Sequence, residues 1–383
     1  MHRGRRRAVG ILERGCSMFK QELDTPCILV DEDKLKNNIV RVQRIADEAG
    51  IALRPHAKTH KTPQIARMQL DAGAAGITVA KLGEAEAMAD AGISPILIAY
   101  PIIGRFKLER LMRLAARATV TVAVDSLEAA FGISEAALNA GIVMPIWVEI
   151  DPGYGRAGVQ PGEALIRLGN ELGKLCGVRV TGVLVFAGQS YDEDNDEGRI
   201  RVAKREAAIA KEAADSLLGL GFPIESVSAG STPVSRFASV MEGVTEMRPG
   251  TYVFGDLTQV KAKAIGLEQC ALTVLATVVS RPAPDRAVID AGTKVFTSDG
   301  EDSPIGTGRG FVVGHPDIEV SWFNEEHGVL HLPPEERGLK VGDKLEIVPV
   351  HCCAVINMLD EFNLVAGDVV QEAVPIPGRG KVR

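Results

Sequence analysis

The chain has 383 residues, 46% apolar and 24% charged, with a formal charge of −7. That is ordinary for a globular protein long enough for two domains, or for one barrel with a sizeable addition. The acidity gives no reason to expect nucleic acid or an anionic membrane as partner, 4% aromatic residues leave little to stack on bases, and no uninterrupted apolar run approaches the roughly 20 residues of a membrane span.

Residues 1–17 carry Arg3, Arg5, Arg6, Arg7 and Arg14 against Glu13, without the apolar core of a signal peptide. They read as a disordered extension, or as a start assigned ahead of Met18. Cys16, Cys27, Cys176, Cys270, Cys352 and Cys353 form no CxxC pair and no secreted-type framework, which points to a reducing cytoplasm. From about residue 50, β-branched runs alternate with helical patterns. Strands are expected at 51–54, 76–80, 95–100, 120–125, 145–151, 180–186, 225–228 and 251–256. Their near-continuous apolar character suits a parallel sheet buried on both faces. Amphipathic segments at 62–72, 84–90, 106–118, 127–139 and 200–218 lie between them. Eight strand–helix repeats predict a (β/α)8 TIM barrel; a doubly wound open sheet would usually have fewer strands.

Beyond residue 265 the texture changes to runs at 272–280, 286–289, 310–313, 318–321, 329–332 and 344–350. Turns such as Gly300, Gly314-His315-Pro316 and Val341-Gly342-Asp343 separate them, and an all-β domain follows. The chain thus divides into an extension (1–23), a strand joining the β-domain (24–34), the barrel (35–262) and the β-domain (263–383).

Reactive groups in such a barrel belong at the C-terminal ends of the strands. The first strand runs into Arg54-Pro55-His56-Ala57-Lys58-Thr59-His60-Lys61. A solvated basic loop is the plain reading. The sharper one is a lysine whose pKa is lowered by Arg54, His56 and Lys61, acting as an amine nucleophile towards a carbonyl. Gly230-Ser231-Thr232 follows the seventh strand, where barrels bind phosphate, although the same triplet is a common helix cap. Lysine and phosphate cup together suggest pyridoxal phosphate, with Arg156 a candidate for its pyridine nitrogen or merely a surface arginine. At 349–353, His351 and Cys353 would share one face of a strand while Cys352 points away. That pair suits Zn²⁺, with Mn²⁺ or Mg²⁺ as alternatives; a buried free cysteine is the plain reading.

Five segments carry a resemblance: residues 54–61, Asp151-Pro152-Gly153-Tyr154-Gly155-Arg156-Ala157-Gly158-Val159, Arg248-Pro249-Gly250-Thr251-Tyr252, Asp290-Ala291-Gly292-Thr293-Lys294, and His351 with Cys353. They resemble the D-threonine aldolase and D-serine dehydratase family, from about Asp24 to Glu372. The resemblance implies the alanine-racemase-like fold, a pyridoxal phosphate barrel with a β-domain, as a homodimer. It makes Lys58 the Schiff-base lysine and sets Arg156 against the pyridine nitrogen. Gly230, Ser231 and Thr232 would hold the phosphate with Tyr252 nearby; His56, Tyr191 and Gly250 complete the cofactor set, and His351 and Cys353 the metal pair. The His-x-Cys form is that of D-serine dehydratases, whereas 78–86 and Ile98-Ala99-Tyr100-Pro101 resemble bacterial sequences grouped with the aldolases. Gly188-Gln189-Ser190-Tyr191 departs from both patterns. The implied reaction is retro-aldol cleavage of a D-3-hydroxy amino acid such as D-threonine to glycine and acetaldehyde, with His60 or a metal-bound water as base. The same site would alternatively dehydrate D-serine or D-3-hydroxyaspartate to a 2-oxo acid and ammonia. A racemase or a non-catalytic pyridoxal phosphate carrier has no evident use for the metal pair.

Overall fold

The computed structural model describes residues 18–299 and 308–383; the expectations for 1–17 and Gly300 fall outside them. The first strand, β1 (Cys27–Asp31), precedes the barrel in sequence. The barrel strands are β2 (Ala52–Leu53), β3 (Ile77–Val79), β4 (Ile96–Ile98), β5 (Val120–Val124), β6 (Met144–Ile150), β7 (Val178–Val185), β8 (Ser226–Ser228) and β9 (Glu246–Met247). They pair in parallel in the order β2-β9-β8-β7-β6-β5-β4-β3. Backbone bonds Thr78 N to Pro55 O (2.8 Å) and Ala57 N to Thr78 O (2.7 Å) tie the two ends of that order together. The predicted (β/α)8 architecture is present.

Alternation along the strands sorts their residues. Ile96, Ile98, Val122, Val124, Ile146 and Val148 pack into the main core, whereas Leu97, Ala123, Trp147 and Leu184 form a separate cluster inside the barrel. Helices cover the outside through apolar stripes. In Leu127–Asn139 the buried positions Ala129, Ala130, Ile133 and Ala137 recur at helical spacing. The rest of the barrel interior is polar: Arg54 Nε donates to Glu246 Oε2 (2.7 Å) and Ser228 Oγ to Glu246 Oε1 (2.9 Å), while Arg248 donates to Ser228 Oγ and to Val185 O. Removing one partner of such a buried pair strands the other, at about 3–5 kcal/mol.

One strand expectation is corrected. The segment 251–256 is not a strand: Thr251–Val253 is a single 3-10 turn, and the eighth strand is Glu246–Met247. Only those two residues lie in register with Ala52 and Leu53, and Pro249 has no amide to continue the ladder. Arg248-Pro249-Gly250 therefore follows the strand, on the reactive rim.

The β-domain strands are β10 (Leu272–Ala283), β11 (Arg286–Ile289), β12 (Gly310–Val312), β13 (Glu319–Phe323), β14 (Gly328–His331), β15 (Lys344–Pro349), β16 (Glu361–Ala366) and β17 (Val369–Pro375). The sheet order is β11-β14-β13-β12-β15-β10-β1-β16-β17, and β10 also pairs with β11, closing six strands into a barrel. Twelve residues long, β10 has irregularities at Val278/Ser280 and Ser280/Ala283, which let it turn from one set of partners to the next. β1 lies in this sheet, antiparallel to β10. The hairpin β16–β17 was not expected, although its two-residue Gly367-Asp368 loop is a hairpin signal. The last residues cross back to the barrel: Gly378 N donates to Lys61 O (3.0 Å) and Gly83 N to Arg383 O (3.0 Å). Among the described residues no helix is long and apolar enough to cross a membrane.

Candidate active site

At the C-terminal rim of the barrel lies a cleft of about 860 Å³, within the size range of small-molecule sites. Lys58, His56, Arg156, Tyr191, Gly230, Ser231, Thr232, Gly250, His351 and Cys353 all line it. Ten of the sequence-predicted residues, from five rim segments and the β-domain, thus meet in one place.

Backbone bonds within the chain hold the lysine turn. His56 N donates to Pro249 O (3.0 Å), and Lys61 N returns to Ala57 O (2.7 Å). Lys61, at φ +54, turns its ammonium away from the cleft onto buried Glu84, whose second oxygen takes Ala80 N (2.8 Å) and Lys81 N (3.1 Å). The expected cluster of cations is therefore dispersed: Arg54 is spent on Glu246 inside the barrel and Lys61 on Glu84. Lys58 projects into the cleft. Burial, with the charges of Lys58, Arg248 and Arg156, holds His56 well below the usual imidazole range. That ring is neutral, and its Nδ1 accepts from Lys58 N at 3.4 Å.

On the phosphate side Gly230 (φ +99) reverses the chain into Ser231 and the turn Thr232–Ser235. Gly250 N donates to Thr232 Oγ1 (3.3 Å), bringing the turn Thr251–Val253 beside it. The first amides of each turn have no partner within it, and with the Ser231 and Thr232 hydroxyls they form a donor set suited to a phosphate. The Gly230 amide is not part of that set, because it donates to Glu206 Oε1 at 3.2 Å. These donors, with an amine in the same cleft, fit pyridoxal phosphate.

Arg156 is placed by Asp151. One carboxylate oxygen accepts from Gly153 N (2.9 Å), Tyr154 N (2.8 Å) and Gly155 N (3.1 Å), which curls the turn that carries Arg156. The guanidinium lies over Phe186 at 4.5 Å and 3.5 Å from Glu149. Gly188 leaves room for Tyr154, whose ring would lie 2.3 Å from a Cβ there. Burial raises the Glu149 carboxyl, against the pull of Arg156 and Arg248. Glu149, Arg248, Thr251 and Gln259 also line the cleft and had not been singled out. Arg248 carried a signal in Arg-Pro-Gly, but placing that motif ahead of a strand hid its rim position.

From the β-domain, β15 ends at Pro349, and Cys352–Val355 is a helical turn with His351 at its cap. Strand alternation is thus not what puts His351 and Cys353 in the cleft. Asp256, reached from the barrel, accepts Cys352 N (3.0 Å) and starts the turn, leaving Cys352 buried behind. A hydrogen bond from Cys352 and the His351 bond and charge hold the Cys353 thiol well below its usual range despite burial. Thr59 Oγ1 (3.2 Å) and Thr251 Oγ1 (3.7 Å) face the sulfur. Burial opposes charge on His351, but Cys353 and Asp256 outweigh it and push the imidazole up to about 10. His351 Nδ1 also donates to Asp299. An imidazole and a ready-made thiolate are donors a divalent metal takes. Among the described residues no group of three His, Cys, Asp or Glu is arranged around one ion.

Two predicted residues stay out of the cleft. His60 is fully buried: its Nδ1 accepts from Thr62 N (3.2 Å), and its Nε2 donates to Gln69 Oε1 (3.2 Å). Gln69 in turn donates to Tyr252 Oη (3.0 Å). Burial brings His60 down to about 4. This chain braces the floor under the lysine turn; Tyr252 can face the cleft only through its backbone.

Residues 30–258 match the family model described as the alanine racemase N-terminal domain, and residues 271–365 the putative serine dehydratase domain. A D-threonine aldolase from Arthrobacter sp. is 33% identical, covering 94% of this chain and 93% of its own. A D-threo-3-hydroxyaspartate dehydratase from Delftia sp. is 35% identical over 90% of this chain and 95% of its own. A mutant of an enzyme with that dehydratase name, solved in a metal-free form, superposes with a TM-score of 0.86 at 34% identity over 94% and 99%. The solved D-threonine aldolase from Filomicrobium marinum reaches 0.88 at 33% identity, covering 96% and 99%. The chain belongs to the alanine-racemase-like family of D-threonine aldolases and D-serine dehydratases, whose members compared here are lyases.

Proposed function

We propose that this chain is a pyridoxal phosphate- and divalent metal-dependent lyase that cleaves D-3-hydroxy amino acids by a retro-aldol reaction, D-threonine giving glycine and acetaldehyde. The observation that carries the reading is the Lys58 amine and the His351–Cys353 pair lining one cleft. When bound, the cofactor would supply an electron sink for Cα and the metal a Lewis acid for the 3-hydroxyl.

The chain's own part follows from where its groups sit. Lys58 Nζ is the amine that would hold the cofactor. Ser231 and Thr232 would hold the phosphate, and Arg156, steadied by Glu149 and Phe186, is the group that would meet the pyridine nitrogen. As a permanent cation, Arg156 keeps a proton off that nitrogen. His56, neutral beside Lys58, adds no further charge there. His351 and Cys353 would hold the metal, as the donors that the β-domain brings to the cleft. Since His60 is committed to Gln69, it is not offered as the base.

Incubating the protein with cofactor, Mn²⁺ or Zn²⁺ and D-threonine, D-serine or D-3-hydroxyaspartate tests the reaction. Glycine with an aldehyde is the expected product. Pyruvate or another 2-oxo acid with ammonia would replace this reading by the dehydratase one, which the 35%-identical Delftia relative supports.

The assembly proposed is a homodimer in the cytoplasm. Tyr100 and Ile103 line the mouth of the cleft at 44% and 55% exposure, and Phe106 follows at 80%, an apolar lip that a second copy would cover. A monomer in sedimentation equilibrium at micromolar concentration would refute the dimer. Cys270 and Cys352 are buried and free, which supports a reducing compartment.

A further inference from the structure

Helix Asp196–Gly219 covers β7 and β8 with an almost unbroken stripe of alanine: Ala203, Ala207, Ala210, Ala213 and Ala214 are buried. In the middle of that stripe stands Glu206, 1% exposed. A carboxylate there costs solvation and contributes no packing an alanine would not. Its Oε1 accepts from Ala187 N at 3.1 Å and Gly230 N at 3.2 Å, while Oε2 has no partner among the described residues. Those two amides begin separate rim loops. Ala187 leads into Gly188–Tyr191, which lines the cleft with Tyr191, and Gly230 leads into Ser231 and Thr232. Further along, the loops share a hydrogen bond between Ser190 Oγ and Ser231 Oγ, 3.1 Å apart.

We infer that Glu206 is a positioning residue for the phosphate cup, clamping the loops after β7 and β8 so that Ser231 and Thr232 face the cleft together; this rests on the cofactor reading above. By taking the Gly230 amide, it also defines which donors are left for the phosphate.

The test compares pyridoxal 5'-phosphate with pyridoxal, titrated into cofactor-free full-length protein and followed by absorbance, with thermal stability measured alongside. Glu206→Ala is expected to weaken the phosphate ester by about tenfold or more and pyridoxal by less than about threefold. Glu206→Gln, which keeps the accepting oxygen, is expected to restore wild-type preference. Should Glu206→Ala fail to fold, Glu206→Asp carries the comparison, because its shorter carboxylate cannot reach both amides. Equal losses for both ligands, or an unchanged preference in the alanine or aspartate variant, would overturn the clamp alone. A wild-type protein with no preference for the phosphate ester would overturn the cofactor reading and the clamp with it.

Discussion

Lys58→Ala is expected to abolish turnover, by on the order of 10³-fold or more, with the visible absorption of cofactor-loaded protein lost and nothing left for borohydride to bleach. The variant should stay folded, because Lys58 is half-buried at the edge of a cleft and its amide, bonded to His56, is retained. Lys61, three residues on, is the control. Its ammonium is buried against Glu84, so Lys61→Ala leaves a carboxylate unpaired and is expected to cost about 3–5 kcal/mol of stability in urea unfolding. Cofactor absorption should survive in whatever Lys61→Ala folds. A Lys58→Ala protein that keeps a tenth of the activity would sink the assignment of the nucleophile.

Stripping divalent metal with a chelator should lower turnover by at least about 10²-fold and leave the Lys58-dependent absorption intact, since Lys58 is not one of the metal's donors. Restoring Zn²⁺, Mn²⁺ or Mg²⁺ in turn should recover activity to different extents, and the order of recovery identifies the working ion. Cys353→Ala and His351→Ala should behave like the stripped protein and resist restoration, each having lost half the donor pair. Chelated protein shown by elemental analysis to be metal-free, yet fully active, would be fatal to the metal proposal.

How legible this was depended on distance along the chain. The short apolar runs from β3 to β8 announce themselves locally, as does the helix Leu127–Asn139, whose limits match the sequence pattern. β9 does not. Glu246 is charged and reads as surface until its partner Arg54, 192 positions away, is placed inside the same barrel. The run from Thr251 has the more strand-like sequence. Lys58, His351 and Cys353, which meet in one cleft, were legible by type and by resemblance. His60 looked equally reactive, but its commitment to Gln69 is a contact that no spacing rule reveals. Glu206 was invisible for the same reason: in sequence it is one more acid on a long amphipathic helix.

The route of the chain has a consequence for how the molecule can be taken apart. β1 enters the nine-stranded sheet before the barrel begins, and the segment after β17 returns to the lysine turn once that sheet is complete. Each half is therefore fastened by a thread drawn from the far side of the other, like a buckle passed through its own strap. No single cut yields two self-sufficient pieces: a barrel ended near residue 262 forfeits the tail bond at Lys61, and a β-domain begun there lacks β1 from its middle. Insertions and fusions that keep both threads in place belong at loop tips.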